Sequence, residues 1–160
     1  MQNPWSIVPG LVLGLSLGMA ACTDVLLRPS DEPVLLGKES FARADYGLAE
    51  QNFRAAVEAN PESIDAWVGL AASYDHLHRF DLADKAYAQA IRLAGHTPEI
   101  LNNLGYHYLL KGNREQARRY LLAAAKLDPA NPYVRSNLEL LETWSLSPPL
   151  PEGFDRVLRH

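Results

Sequence analysis

Cysteine is nearly absent from this chain: Cys22 is the single one among 160 residues. An intramolecular disulfide and a cysteine-rich zinc site are therefore both excluded. Charge is missing from the N-terminus, where residues 1–21 hold no Asp, Glu, Lys or Arg. Basic excess is missing too. The formal net charge of −4 argues against a nucleic-acid partner, which calls for a basic face. No uninterrupted apolar run reaches the roughly 20 residues that a membrane-spanning helix needs. There is no glycine-rich phosphate loop and no GxSxG. The histidines, His76, His78, His96, His107 and His160, form no ligand set of known spacing. No metal, cofactor or catalytic residue is expected.

What remains is a hydrophobic content of 48%, enough for a folded domain. Ile7 to Cys22 reads IVPGLVLGLSLGMAAC, an apolar run rich in small residues. At about 16 residues it is short for a span and suits the h-region of a signal peptide. Met19-Ala20-Ala21-Cys22 resembles a bacterial lipobox. That resemblance implies cleavage before Cys22, a lipid on its thiol and acylation of the new amine. Met19 stands where leucine is usual, and no Lys or Arg precedes the apolar run; an upstream start would supply one. An uncleaved signal anchor is the alternative. Thr23, rather than Asp, follows Cys22. By the enterobacterial sorting rule this implies the periplasmic face of the outer membrane.

Beyond a Pro-containing stretch from Thr23 to Gly37, the apolar residues fall at helical spacing. Trp67, Leu70, Ala71 and Tyr74 mark one helix, and Phe80, Ala83, Tyr87 and Ala90 a second. His78-Arg79 breaks the pattern between them. The pair returns 34 residues later, with Leu104, Gly105, Tyr108, Ala117 and Ala124 at the corresponding places. Counted back, the second-helix positions are Ala49, Phe53 and Ala56, with Pro61 closing the repeat as Pro129 does later. Period and positions resemble the tetratricopeptide repeat. The predicted fold is an all-α solenoid of about three helix-turn-helix repeats. Tyr133 to Leu141 serves as a C-terminal capping helix.

In detail, a weak first helix is expected over Ser40 to Tyr46, ended by Gly47. Ser63 and Asp81 are expected as N-caps, and Pro98 at a first helical position. The organisation reads as a signal peptide over 1–21, a lipidated cysteine and flexible linker over 22–37, the repeat domain over 38–142 and a tail over 143–160.

In the repeat family the first helix of each repeat lines the concave side, with positions 2, 5, 9 and 12 facing a ligand. The resemblance places Asp65, Val68, Ala72 and Asp75 there, then Glu99, Asn102, Tyr106 and Leu109, with Tyr133, Ser136 and Leu140 from the cap. Asn103 and Asn137 stand beside them. Asparagine can pair with the backbone of an extended peptide, or with a neighbouring repeat. Tyr106 and Tyr133 suit an interface anchor. Basic residues that would clamp a C-terminal carboxylate are missing.

The runs AWVGLAASYDHLHRFDLADKAYAQAIRLAG, TPEILNNLGYHYLLKG and NPYVRSNLELLE resemble, together with the lipobox, the Flp pilus assembly TadD family. The resemblance spans about Ser40 to Glu142. It implies a lipoprotein of a tight-adherence (type IVc) pilus machine. It also implies a protein partner, a secretin or another pilus-assembly subunit, met at the membrane in the manner of a pilotin. Two other readings stay open: an envelope adaptor for cell-wall enzymes or another secretion complex, and an enzyme completed by a partner or a metal at Asp75, His76 and His78.

Overall fold

A computed structural model describes residues 32–146. The signal-peptide, lipobox and early-linker expectations, and the tail beyond Leu146, fall outside the described residues. Within them are α1 (Glu32–Ala42), α2 (Tyr46–Ala59), α3 (Ile64–His76), α4 (Phe80–Ala94), α5 (Pro98–Leu110), α6 (Arg114–Leu127) and α7 (Pro132–Leu146), with no strand. Each helix pair is antiparallel and joined by a short turn. The first helices α1, α3, α5 and α7 lie side by side, each touching the next.

The starts of these helices follow from polar residues that accept orphan backbone N–H groups. Asp45 accepts from Leu48 N, Ser63 from Ala66 N, Thr97 from Ile100 N and Asn113 from Gln116 N. Pro98 opens α5, where its missing N–H costs nothing. The expectation for Asp81 does not hold: α4 begins at Phe80, the cap position is Arg79 with no side-chain bond, and Asp81 lies in the first turn.

The turn inside each repeat has one repeated geometry. Ala44, His78 and Gly112 all have positive φ, at 58°, 55° and 74°. Asp45 N donates to Ser40 O at 3.0 Å, Arg79 N to Tyr74 O at 2.8 Å and Asn113 N to Tyr108 O at 2.9 Å. These are the six-residue closures of a Schellman cap, which needs a left-handed residue.

Small residues let the helices close. Ala49, Ala83 and Ala117, and likewise Ala56, Ala90 and Ala124, are 0% exposed, each set at the 34-residue period. Phe53, Tyr87 and Leu121 occupy a third equivalent place and fill the space between helices. A Cβ on Gly69 would lie 2.4 Å from the Phe53 ring, and one on Gly37 2.8 Å from it. Phe53 is thus wedged between two glycines on adjacent first helices.

The first helix corrects the linker expectation. It starts at Glu32, so residues 32–37 are helix and not tether, and Gly37 is buried. Gly37 stands 34 residues before Ala71 and does the same packing work. Gly47, expected to end a helix, lies instead in the first turn of α2; the first helix ends at Ala42. At the other end α7 runs to Leu146, past the boundary expected at 142, because no proline interrupts it before Pro148.

Candidate functional site: the concave groove

The side-by-side first helices leave two adjoining hollows on their shared face. One, of about 220 Å³, lies between α1 and α3 and includes Phe41, Phe53, Val68, Gly69 and Ala72, with Lys38, Asp65 and Glu99 around it. The other, of about 330 Å³, extends across α3, α5 and α7 to Tyr133, Ser136 and Asn137. Phe41 and Ala72 belong to both, so the hollows form one groove.

All the residues expected to face a ligand line this groove except Leu109 and Leu140. Their roles within it differ. Asp65 and Glu99 are exposed at the rim, and Lys38 Nζ reaches Asp65 at 2.6 Å. Tyr133 is 72% exposed, Ser136 is also open, and Leu140 is exposed outside the hollows. Val68 and Asn102 are mostly buried in the floor. Asn137 Nδ2 donates to Asn102 Oδ1 at 3.0 Å, tying α7 to α5, so the Asn102 amide has an inter-repeat partner.

Two expectations need correction. Leu109 is fully buried against Ala117, Leu121 and Leu141, and offers no surface to a ligand. Asp75 lies at the base of the groove but is 1% exposed and committed to the core. The twelfth position of these first helices points between repeats, as the equivalent Phe41 also begins to do.

Asp75 anchors a polar chain that the repeat pattern does not announce. Tyr87 Oη donates to Asp75 Oδ2 at 2.9 Å, and His107 Nδ1 meets Asp75 Oδ1 at 2.5 Å. His107 Nε2 meets Asp84 Oδ1 at 3.0 Å, and Lys111 Nζ donates to Asp84 Oδ2 at 2.9 Å. His107 is 0% exposed. Each ring nitrogen of His107 thus has a carboxylate oxygen within hydrogen-bond distance. Burial first, then the Asp75 charge, holds the Tyr87 phenol well above its ordinary value. Asp75, Tyr87 and His107 replace what are Leu109, Leu121 and Leu141 one repeat later, so this chain joins repeats two and three where apolar packing serves elsewhere. The only sequence signal was the pairing of three polar residues at places that are apolar one period on.

Lys38 and Phe41 were also missed, and His76 was weighed only as a metal ligand. Lys38 and Phe41 lie 34 residues before Ala72 and Asp75, so counting back one more period would have found them. The His76 ring stacks on Tyr46 at 4.0 Å and 6°, with Phe41 edge-on at 5.2 Å and Tyr106 at 5.9 Å. Burial lowers the His76 pKa, opposed by the Asp75 charge and aided by His78. With Asp75 held by its partners and His76 inside this aromatic cluster, the metal reading loses its ligands. Among the described residues no group of three or more His, Cys, Asp or Glu is placed to hold a metal ion.

Family models of the tetratricopeptide repeat match residues 34–83 and 98–131. The chain is a tetratricopeptide-repeat protein. This repeat protein is 30% identical over 132 residues to the type IV pilus assembly protein PilF of Pseudomonas aeruginosa, across 81% of this chain and 52% of that one. A solved structure of that PilF superposes with a TM-score of 0.63 at 28% identity, over 73% of this chain and 54% of the other. A cytochrome c-type biogenesis protein, CycH of the same organism, is 30% identical over 129 residues, covering 78% of this chain and 29% of CycH. The repeat protein therefore spans about half or less of these curated relatives. The Yersinia enterocolitica type III secretion chaperone SycD, solved with a peptide of the translocator YopD, shares the fold. Its TM-score is 0.59 at 20% identity, over 72% of this chain and 93% of that one. The fold is a protein-interaction scaffold, and no enzyme family is among these matches.

Proposed function

We propose that this repeat protein is a lipid-anchored scaffold for assembling a tight-adherence pilus, acting on the outer-membrane secretin in the manner of a pilotin. The observation that carries the reading is a continuous groove along four first helices in a chain related to a pilus assembly protein. The groove supplies the grip. The lipid at Cys22 supplies the location, at the periplasmic face of the outer membrane. Two partners held on one membrane meet at high effective concentration, so a modest groove affinity is enough. The rim of exposed side chains and the half-buried Tyr106 suit capture of a protein segment rather than turnover of a substrate.

A pull-down from solubilised envelopes tests this. Secretin subunits should be recovered with the parent chain and lost with Tyr106→Ala/Tyr133→Ala. Cys22→Ser should release the protein from the outer membrane. Recovery of secretin by both forms alike would remove the groove from the account. The equal identity to the cytochrome biogenesis relative supports a second reading, an adaptor for another envelope complex or for cell-wall enzymes. Capture of such a complex, with pili intact in the deletion strain, would favour it.

A further inference from the structure

The two hollows differ in chemistry, and the difference bears on what they hold. The α1/α3 hollow is walled by Phe41, Phe53, Val68 and Ala72, while Gly69 adds no side chain. A small, mainly apolar socket of this kind accepts one large apolar side chain. Two carboxylates flank it. Asp65 is neutralised by Lys38, the one cation among the lining residues, whereas Glu99 makes no ion pair among the described residues. The neighbouring hollow brings amides. Asn102 is held by Asn137, but the Asn103 side-chain amide has no hydrogen-bond partner among the described residues and can pair with a peptide backbone.

We propose that the groove binds an extended segment in which a large apolar residue and a Lys or Arg stand within about three positions of each other. The proposal rests on the groove reading above and gives it a chemical class. The apolar side chain fills the α1/α3 socket, the basic one faces Glu99, and the backbone continues over Asn103. The spacing follows from the fold: first helices lie ~8–10 Å apart, and an extended chain advances ~3.3 Å per residue, so about three residues carry the chain from the socket to Glu99 on the next first helix, α5. A segment ending in acidic residues and a free carboxylate meets no unpaired cation in this groove.

The test is a selection from random phage-displayed peptides of about twelve residues, long enough at ~3.3 Å per residue to cross the groove. The target is the full lipidated chain in nanodiscs, with empty nanodiscs as counter-selection. The expected consensus pairs a bulky apolar residue with Lys or Arg. A synthetic consensus peptide should bind about tenfold more weakly to Ala72→Phe, which blocks the junction of the hollows. It should bind about fivefold more weakly to Glu99→Lys, a change at an exposed rim charge. Selection on Glu99→Lys should favour acidic residues instead. An apolar consensus without basic preference, still lost in Ala72→Phe, would overturn the proposal and leave the groove reading standing. Peptides indifferent to Ala72→Phe would overturn both. No enrichment over empty nanodiscs would also overturn the proposal.

Discussion

Replacing Asp75 with leucine puts into repeat two the residue that repeat three carries at the same place, yet the outcome should be severe. Asp75 accepts from Tyr87 Oη and faces His107 Nδ1, and His107 is 0% exposed. Asp75→Leu strands a buried phenol and one nitrogen of a buried imidazole ring. Leaving a buried polar group without its partner costs about 1–3 kcal/mol, so the two together cost about 2–6 kcal/mol. That is a large share of the ~5–15 kcal/mol that stabilises a domain. For a domain of this size, ~10–20 °C in Tm would be lost. The triple variant Asp75→Leu/Tyr87→Phe/His107→Leu removes every member that needs a buried partner and should recover most of the loss, because well-packed apolar replacements of buried ion pairs are often neutral or better. Tyr87→Phe alone should cost about 1 kcal/mol, the net worth of one hydrogen bond. Urea unfolding of all four forms gives the comparison. A loss below about 1 kcal/mol for Asp75→Leu, or a triple variant worse than that single one, would refute the view that the network is a mutually dependent unit.

Glycine substitutions should separate by position. Gly69→Ala drives a Cβ to 2.4 Å from the Phe53 ring and should cost about 1–3 kcal/mol, whereas Gly47→Ala meets nothing within 4 Å and should gain up to about 1 kcal/mol in thermal unfolding. Equal effects would mean that Phe53 is not wedged between the glycines. Ala44→Gly and His78→Gly relieve left-handed backbone at φ 58° and 55° and should each stabilise by roughly 0.5–1 kcal/mol in chemical unfolding, while Gly112→Ala should destabilise. His76 has a folded-state pKa below its ordinary 6.5 because of burial. Its contribution to stability is therefore fully present above about pH 6.5 and lost as pH falls through the lower folded value. His76→Phe should flatten that part of the stability profile, and an unchanged acid slope would show that the ring stays solvated enough to charge freely.

Much was legible before any coordinates because the repeat writes its packing into a 34-residue period. Ala49, Ala83 and Ala117 are recognisable as close-contact positions wherever the period is counted, and polar caps such as Ser63 act within four residues of themselves. The first helix was cut short because its apolar marks are weak: Leu35 and Leu36 are exposed, and Gly37 reads as a breaker until Phe53 is placed against it.

By itself the sequence determined the helices from α2 onward, most of their turns, the solenoid and which helices share the concave side, since these depend on local capping and on a repeated apolar pattern. Only the tertiary structure decided which side chains on that side are available. Asp75 and Ala72 sit on the same helix, but one turns into the gap between repeats and the other opens to the groove. That choice depends on how far each repeat rotates against the next, and on His107, a partner thirty-two residues away. No local pattern carries that information, because both halves of the Asp75–His107 pair look like surface residues until the helices that hold them are packed.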